Sequence, residues 1–147
     1  MSTDDRILIV GAGPVGLVTA LRLAGFGIPS VVVEKSSEVP RDLRATTFHP
    51  PTLDMLEDMG VLASLEAMGI VTPAWQVLHL ATRQRAVFEM ATIGDLTRHP
   101  YRLQVEQFKL VKELFERARV NPLIDLRLDA EVSEVDRKST RLNSSHT

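Results

Sequence analysis

An apolar run, a glycine-rich turn and a second apolar stretch in immediate succession constrain this chain more than anything else in it. Ile7–Val10 is continuous and β-branched, the pattern of a strand buried on both faces. It feeds directly into Gly11-Ala12-Gly13-Pro14-Val15-Gly16. Val15, Leu17, Val18, Ala20, Leu21, Leu23 and Ala24 then predict a mostly apolar helix, punctuated by Gly25 and Gly27. Val31–Val33 is a second buried strand with Glu34 at its C-terminal end.

Strand, glycine turn, helix, strand and acid make up a dinucleotide-binding unit, and each residue type has a task in it. Gly11 permits the tight strand-to-helix turn, Gly13 lets the backbone approach a pyrophosphate, and Gly16 lets the helix pack closely on the strand. The free N–H groups around Pro14, with a partial charge of roughly +0.5 at the helix start, favour a phosphate there. Glu34 suits a ribose diol and repels a 2′-phosphate, which points to FAD or NAD at this site rather than NADP. Lys35 follows it and is counted with the same candidate site. A glycine turn without a ligand is the plain alternative, and the unit by itself does not separate FAD from NAD.

Composition narrows the classes. At 147 residues the chain is one domain or a piece of one, and its net charge of -2 is not clustered. Nothing in it suggests a nucleic acid or an anionic membrane as partner. It has no cysteine, so disulfides, thiolate metal sites and cysteine nucleophiles are excluded. The polar start, Met1–Arg6, is not a secretory signal, and no apolar run reaches the roughly 18 residues of a membrane span. The expectation is a soluble cytoplasmic protein. His49, His79 and His99 have no histidine or carboxylate at ligand spacing, so no metal is assigned.

Beyond the glycine unit, Thr52–Met59 before Gly60 and Leu62–Met68 before Gly69 read as helices. Val77–Ala81 and Ala86–Met90 read as a hairpin about a turn at Thr82–Arg85. Trp75 and Phe88 are candidates for a pocket wall, although aromatics at strand positions are more often core. Ile124–Leu128 is expected to return to the parallel sheet as its third strand, and Glu131–Val135 to begin another.

Two further segments, RDLRATTFHPPTLDMLEDM over 41–59 and YRLQVEQFKLVKELFERA over 101–118, resemble the flavoprotein aromatic hydroxylases, the group of para-hydroxybenzoate and phenol hydroxylases. The match rests on Arg44-Ala45 before a helix and Gly60, and on Gln107 followed by Leu114 and Glu116-Arg117-Ala118. It runs from Ile7 to about Val135. The resemblance implies that Arg44 lies by the FAD phosphates and that Gln107 contacts the flavin nucleotide. Arg41 is a less secure second arginine, and Gln104 a competitor with the wrong spacing. A guanidinium offers a planar fork suited to phosphate oxygens.

The implied architecture is α/β: a Rossmann-like FAD-binding fold over 1–135, with residues of about 72–100 beginning an inserted substrate-covering β-sheet. The implied activity is that of an FAD-dependent monooxygenase in which NAD(P)H reduces FAD and O2 hydroxylates a small, phenol-type aromatic substrate. The Asp-Gly and Gly-Asp motifs of that family are expected beyond Val135, so no catalytic residue is assigned, and the chain by itself is expected to have no hydroxylase activity and to bind FAD weakly. Another FAD oxidoreductase, such as a dehydrogenase, and a non-enzymatic nucleotide-binding remnant stay open. Residues 136–146, DRKSTRLNSSH, also match in frame the translation of a sequencing-library adapter and are read as a non-native tail with Thr147.

Overall fold

In a computed structural model of the chain, residues 5–38 and 45–134 are described. In chain order it runs β1 (Ile7–Val10), α1 (Pro14–Gly25), β2 (Ser30–Val33), β3 (Thr47–Phe48), α2 (Pro50–Asp58), α3 (Leu62–Glu66) and β4 (Ile70–Thr72). There follow β5 (Ala74–His79), β6 (Gln84–Glu89), a 3-10 turn at Met90–Ile93, β7 (Arg102–Gln104), α4 (Gln107–Arg119) and β8 (Ile124–Arg127). The adapter-like tail and Arg41 and Arg44 lie outside the described residues.

The expected parallel sheet forms, in the order β1-β2-β8. Ile7 pairs with Ser30 and Ser30 with Ile124, so the strand predicted at Ile124 does return as the third member. Helix α1 opens with proline in its first turn, where the missing N–H costs nothing, and buries Leu17 and Ala20. The amphipathic α4 buries Leu110, Val111, Leu114 and Ala118, one stripe at helical spacing. It packs on α1, and the two helices cover the sheet. Leu53, Leu56, Leu65 and Leu103 extend the same core under α2, α3 and β7.

Two expectations about strands are corrected. β2 is buried, but β1 is not: Ile7, Leu8 and Val10 are 42%, 52% and 61% exposed. A β-branched run reads alike in a central and an outer strand, and among the described residues β1 hydrogen-bonds along one edge only, to β2. Residues 131–134 are not a strand, and Val135 is outside the described residues.

The middle of the chain is antiparallel. β7 lies between β3 and β4, with Thr47 and Ile70 both opposite Gln104. The hairpin exists with its turn earlier than predicted, since β5 pairs β6 from Ala74–Glu89 to His79–Gln84. Trp75 and Phe88 are opposite one another and stack at 4.2 Å, with the Arg102 guanidinium 4.4 Å from the Trp75 ring centre. Phe88 is 44% exposed, so this pair is a surface stack rather than core.

Segment 97–101 is fastened to α2 by polar contacts. Thr97 donates to Asp54 at 2.8 Å, and Arg98 bonds the Asp58 carboxylate at 2.7 Å. The buried His99 sets Nδ1 2.7 Å from Asp54 Oδ1 and Nε2 3.5 Å from Glu57 Oε1. The histidine without a carboxylate at ligand spacing thus has two in space, brought by another element. Among the described residues, no group of three or more such side chains is placed to hold a metal ion. Nor is any helix of the described residues long and apolar enough to cross a membrane.

Candidate nucleotide site

The C-terminal ends of β1 and β2, where ligands sit in folds of this class, bring five of the predicted residues together. The chain leaves β1 at Gly11, whose N–H donates to Val33 O at 2.7 Å and whose φ of +102° is open to few side chains. Helix α1 then starts at Gly13-Pro14. A Cβ at Gly16 would lie 2.0 Å from Gly11 O and 3.2 Å from its carbonyl carbon. The turn therefore closes only because residue 16 has no side chain.

Gly13 differs from both. Its φ of -75° is ordinary for any L-residue, and a Cβ there would meet nothing within 4 Å. Among the described residues, no backbone strain and no neighbour asks for glycine at that position, at the start of a helix with no acidic residue in its first turn.

Glu34 faces this loop. Its Oε2 accepts the Ala12 N–H at 2.9 Å, and its Oε1 accepts the Ser36 N–H at 2.9 Å. The Ser36 N–H foremost, with the Ala12 N–H, holds the carboxyl below the usual glutamate range despite partial burial. Glu34 is thus an anion at neutral pH, tied to the glycine turn across the top of the sheet. Lys35 points into solvent beside it.

Arg44 lies outside the described residues. Gln107 is the first residue of α4, and its N–H donates to Ala45 O at 2.9 Å, so the start of α4 is joined to the residue that follows Arg44. Gln104 is in β7, where its Oε1 accepts the Thr47 hydroxyl at 2.7 Å. That bond engages the competitor in the antiparallel sheet.

Sequence reading missed the partners that steady Glu34. Ala12 and Ser36 act through backbone N–H groups, which leave no trace in residue type, except that the 3% exposed Ala12 must be small. Ala130 N–H donates to Glu34 O at 2.9 Å and Asp129 N–H to Ser36 O at 3.3 Å. The one available signal was an aspartate just after a strand, a residue type that favours turns. A cleft of about 310 Å³ bordered by Arg22, Phe26, Met59 and Arg117 lies at the opposite end of α1. A 12-residue helix is roughly 18 Å long, too far for that cleft to share a ligand's phosphates with Gly13.

The family described as "FAD binding domain" matches residues 4–145. The chain is 32% identical over 136 residues to para-nitrophenol 4-monooxygenase of a Pseudomonas species, a match covering 92% of this chain and 34% of the relative. It is 36% identical over 146 residues to 6-hydroxy-3-succinoylpyridine 3-monooxygenase of Pseudomonas putida, covering 97% and 37%. The crystal structure of p-nitrophenol 4-monooxygenase from Pseudomonas putida superposes with a TM-score of 0.81 at 30% identity, covering 90% of this chain and 34% of that one. The chain spans about a third of the length of the relatives it matches. With the family match extending over almost all of it, the chain belongs to the FAD-binding domain family.

Proposed function

We propose that these residues form the adenylate-binding part of an FAD-dependent monooxygenase that hydroxylates a small, phenol-type aromatic compound with NAD(P)H and O2. Gly11, Gly13, Pro14 and Gly16 receive the pyrophosphate, Glu34 the ribose, and Lys35, Arg44 and Gln107 complete the contacts to the nucleotide. Residues of about 72–100 begin the sheet that covers the substrate. When bound, FAD supplies the oxygen chemistry, and the protein supplies placement and electrostatics.

The observation that carries the reading is a carboxylate, Glu34, bound to the backbone of the glycine turn at Ala12, next in the chain to a Gly13 that no described neighbour crowds. A carboxylate has about four lone-pair sites. Two of those on Glu34 are taken by Ala12 and Ser36, one on each oxygen, which leaves one per oxygen for the two hydroxyls of a ribose diol. A 2′-phosphate there would meet an anion. The names of the relatives, which are monooxygenases of nitrophenol and hydroxypyridine compounds, support the substrate class.

Equilibrium dialysis of the 147-residue chain tests the site. ADP and FAD are expected to bind and compete, while FMN, which lacks the adenylate, does not bind. FMN retained as well as FAD would defeat the assignment. The activity is tested on the gene product extended beyond codon 135, which should consume NADH or NADPH and O2 in the presence of a phenol and pass through a hydroperoxyflavin absorbance. The 147-residue chain should do none of this. Substrate-dependent NADH oxidation by it, or an extended frame that ends at Thr147, would overturn the reading.

A further inference from the structure

The carboxylate of Glu34 is held in place by a backbone relay that begins outside the glycine unit. β8 runs beside β2 as far as the Glu34 N–H, which donates to Arg127 O at 2.9 Å. A regular parallel ladder would carry on from there. Instead Asp129 adopts φ +52°, in the left-handed region that few non-glycine residues enter. The reversal turns two successive N–H groups back onto the β2 extension: Asp129 to Ser36 O at 3.3 Å and Ala130 to Glu34 O at 2.9 Å. The stretch Glu34-Lys35-Ser36 is thereby gripped from its outer side at both ends.

That grip bears on the site because Ser36 is also the residue whose N–H binds Glu34 Oε1, at 2.9 Å. With Ser36 O fixed by Asp129 and Glu34 O by Ala130, the Ser36 peptide faces the carboxylate, and the carboxylate reaches Ala12 with its other oxygen. The Asp129 side chain is exposed. Its effect is therefore exerted by its backbone conformation and not by packing.

We infer that Asp129 is a positioning residue for the ribose-reading carboxylate: its left-handed turn fixes Ser36, and Ser36 fixes Glu34. This rests on the reading of Glu34 as the ribose acceptor, so the test is arranged to separate the two. Asp129→Val places a β-branched residue where the left-handed conformation is most costly, Asp129→Gly one for which it costs nothing, and Asp129→Asn one that tolerates it.

Amide hydrogen exchange in the whole 147-residue chain reads the relay without a ligand. Protection of the Ala12 and Ser36 amides should fall about tenfold in Asp129→Val, the size of effect a forced left-handed β-branched residue produces, and return in Asp129→Gly and Asp129→Asn. Protection within α1 and α4 should stay unchanged. Titration with ADP and 2′-deoxy-ADP then reads the function, since only ADP presents both ribose hydroxyls. The wild-type preference for ADP should shrink toward unity in Asp129→Val and recover in Asp129→Gly. Unchanged Ala12 and Ser36 protection in Asp129→Val overturns the relay, as does a uniform loss of protection across the chain. If the relay responds as stated but the wild type does not distinguish the two nucleotides, the ribose role of Glu34 is refuted, and the positioning claim falls with it.

Discussion

Two glycines three positions apart should respond differently to the same substitution, one in stability and the other in binding. At Gly16 an added methyl group would sit 2.0 Å from Gly11 O and 3.3 Å from Ile9 Cγ2. The first of these is backbone, so the turn or the helix must move. Overpacking of this kind costs about 1–3 kcal/mol, and a backbone obstacle belongs at the upper end. For a chain of this size that is a fall of roughly 10 °C in the unfolding midpoint. At Gly13 two small terms oppose each other. Replacing glycine by alanine at an ordinary φ gains about 0.4–1 kcal/mol by restricting the unfolded chain. Alanine is a poorer helix N-cap than glycine by a similar amount, about 0.5–1 kcal/mol. Gly13→Ala should therefore leave stability within about 0.5 kcal/mol of the wild type while its methyl group enters the space assigned to the pyrophosphate, weakening ADP at least about tenfold. Thermal unfolding and ADP titration of both variants decide the matter. A Gly13→Ala protein that loses more than about 1 kcal/mol in stability, or that binds ADP like the wild type, would refute the argument that only a ligand demands glycine there.

Other expectations follow from the polar contacts. The hydrogen bond to His99, and then that from Thr97, hold the Asp54 carboxyl below the usual aspartate range. Its contribution is therefore complete above that range and is lost as pH falls through the lowered value, so Asp54→Asn should flatten the acid limb of a stability–pH curve below about pH 4, and an unchanged slope would contradict this. Arg117 spans α4 and the end of α2, donating to Met59 O at 3.1 Å, Gly60 O at 2.8 Å and Glu113 at 2.9 Å. Arg117→Lys cannot reproduce that fork and should cost about 1 kcal/mol in urea unfolding, whereas a neutral result would show the capping to be replaceable. The chain has one tryptophan, so Trp75 emission reports on the hairpin alone. Arg102→Ala should alter that emission with little change in the global unfolding midpoint, and an unaltered spectrum would mean that the guanidinium does not rest on the ring in solution.

What could be read from the residues alone was whatever is decided within a short stretch of chain. The path from Ile7 to Glu34 is one strand–helix–strand unit, and its partners meet because the turn and the helix length bring them together. The strand at Ile124 was expected and forms, whereas the segment from Gln107 was read through its resemblance to a known family. Long-range company was not. Asp54 and Glu57 reach His99 from a different element, which no spacing rule can detect. The β-branched run Ile7–Val10 specifies a strand but is silent about how many neighbours that strand has, so its exposure was misjudged. The steadying of Glu34 by Ala12, Ser36 and Ala130 involves main-chain groups, which every residue carries.

The order of strands also sets the order of events during synthesis. β2 is the middle strand of this sheet, yet ninety residues lie between Val33 and the start of its second neighbour, β8. At roughly 5–20 residues per second the ribosome needs about 5–20 s to make that stretch. Closing so long a loop costs entropy that only the finished pairing and the docking of α4 on α1 repay. Through that interval the nascent chain carries Val31–Val33 with one flank unmatched. The strand beside the candidate nucleotide site is thus made early and completed late.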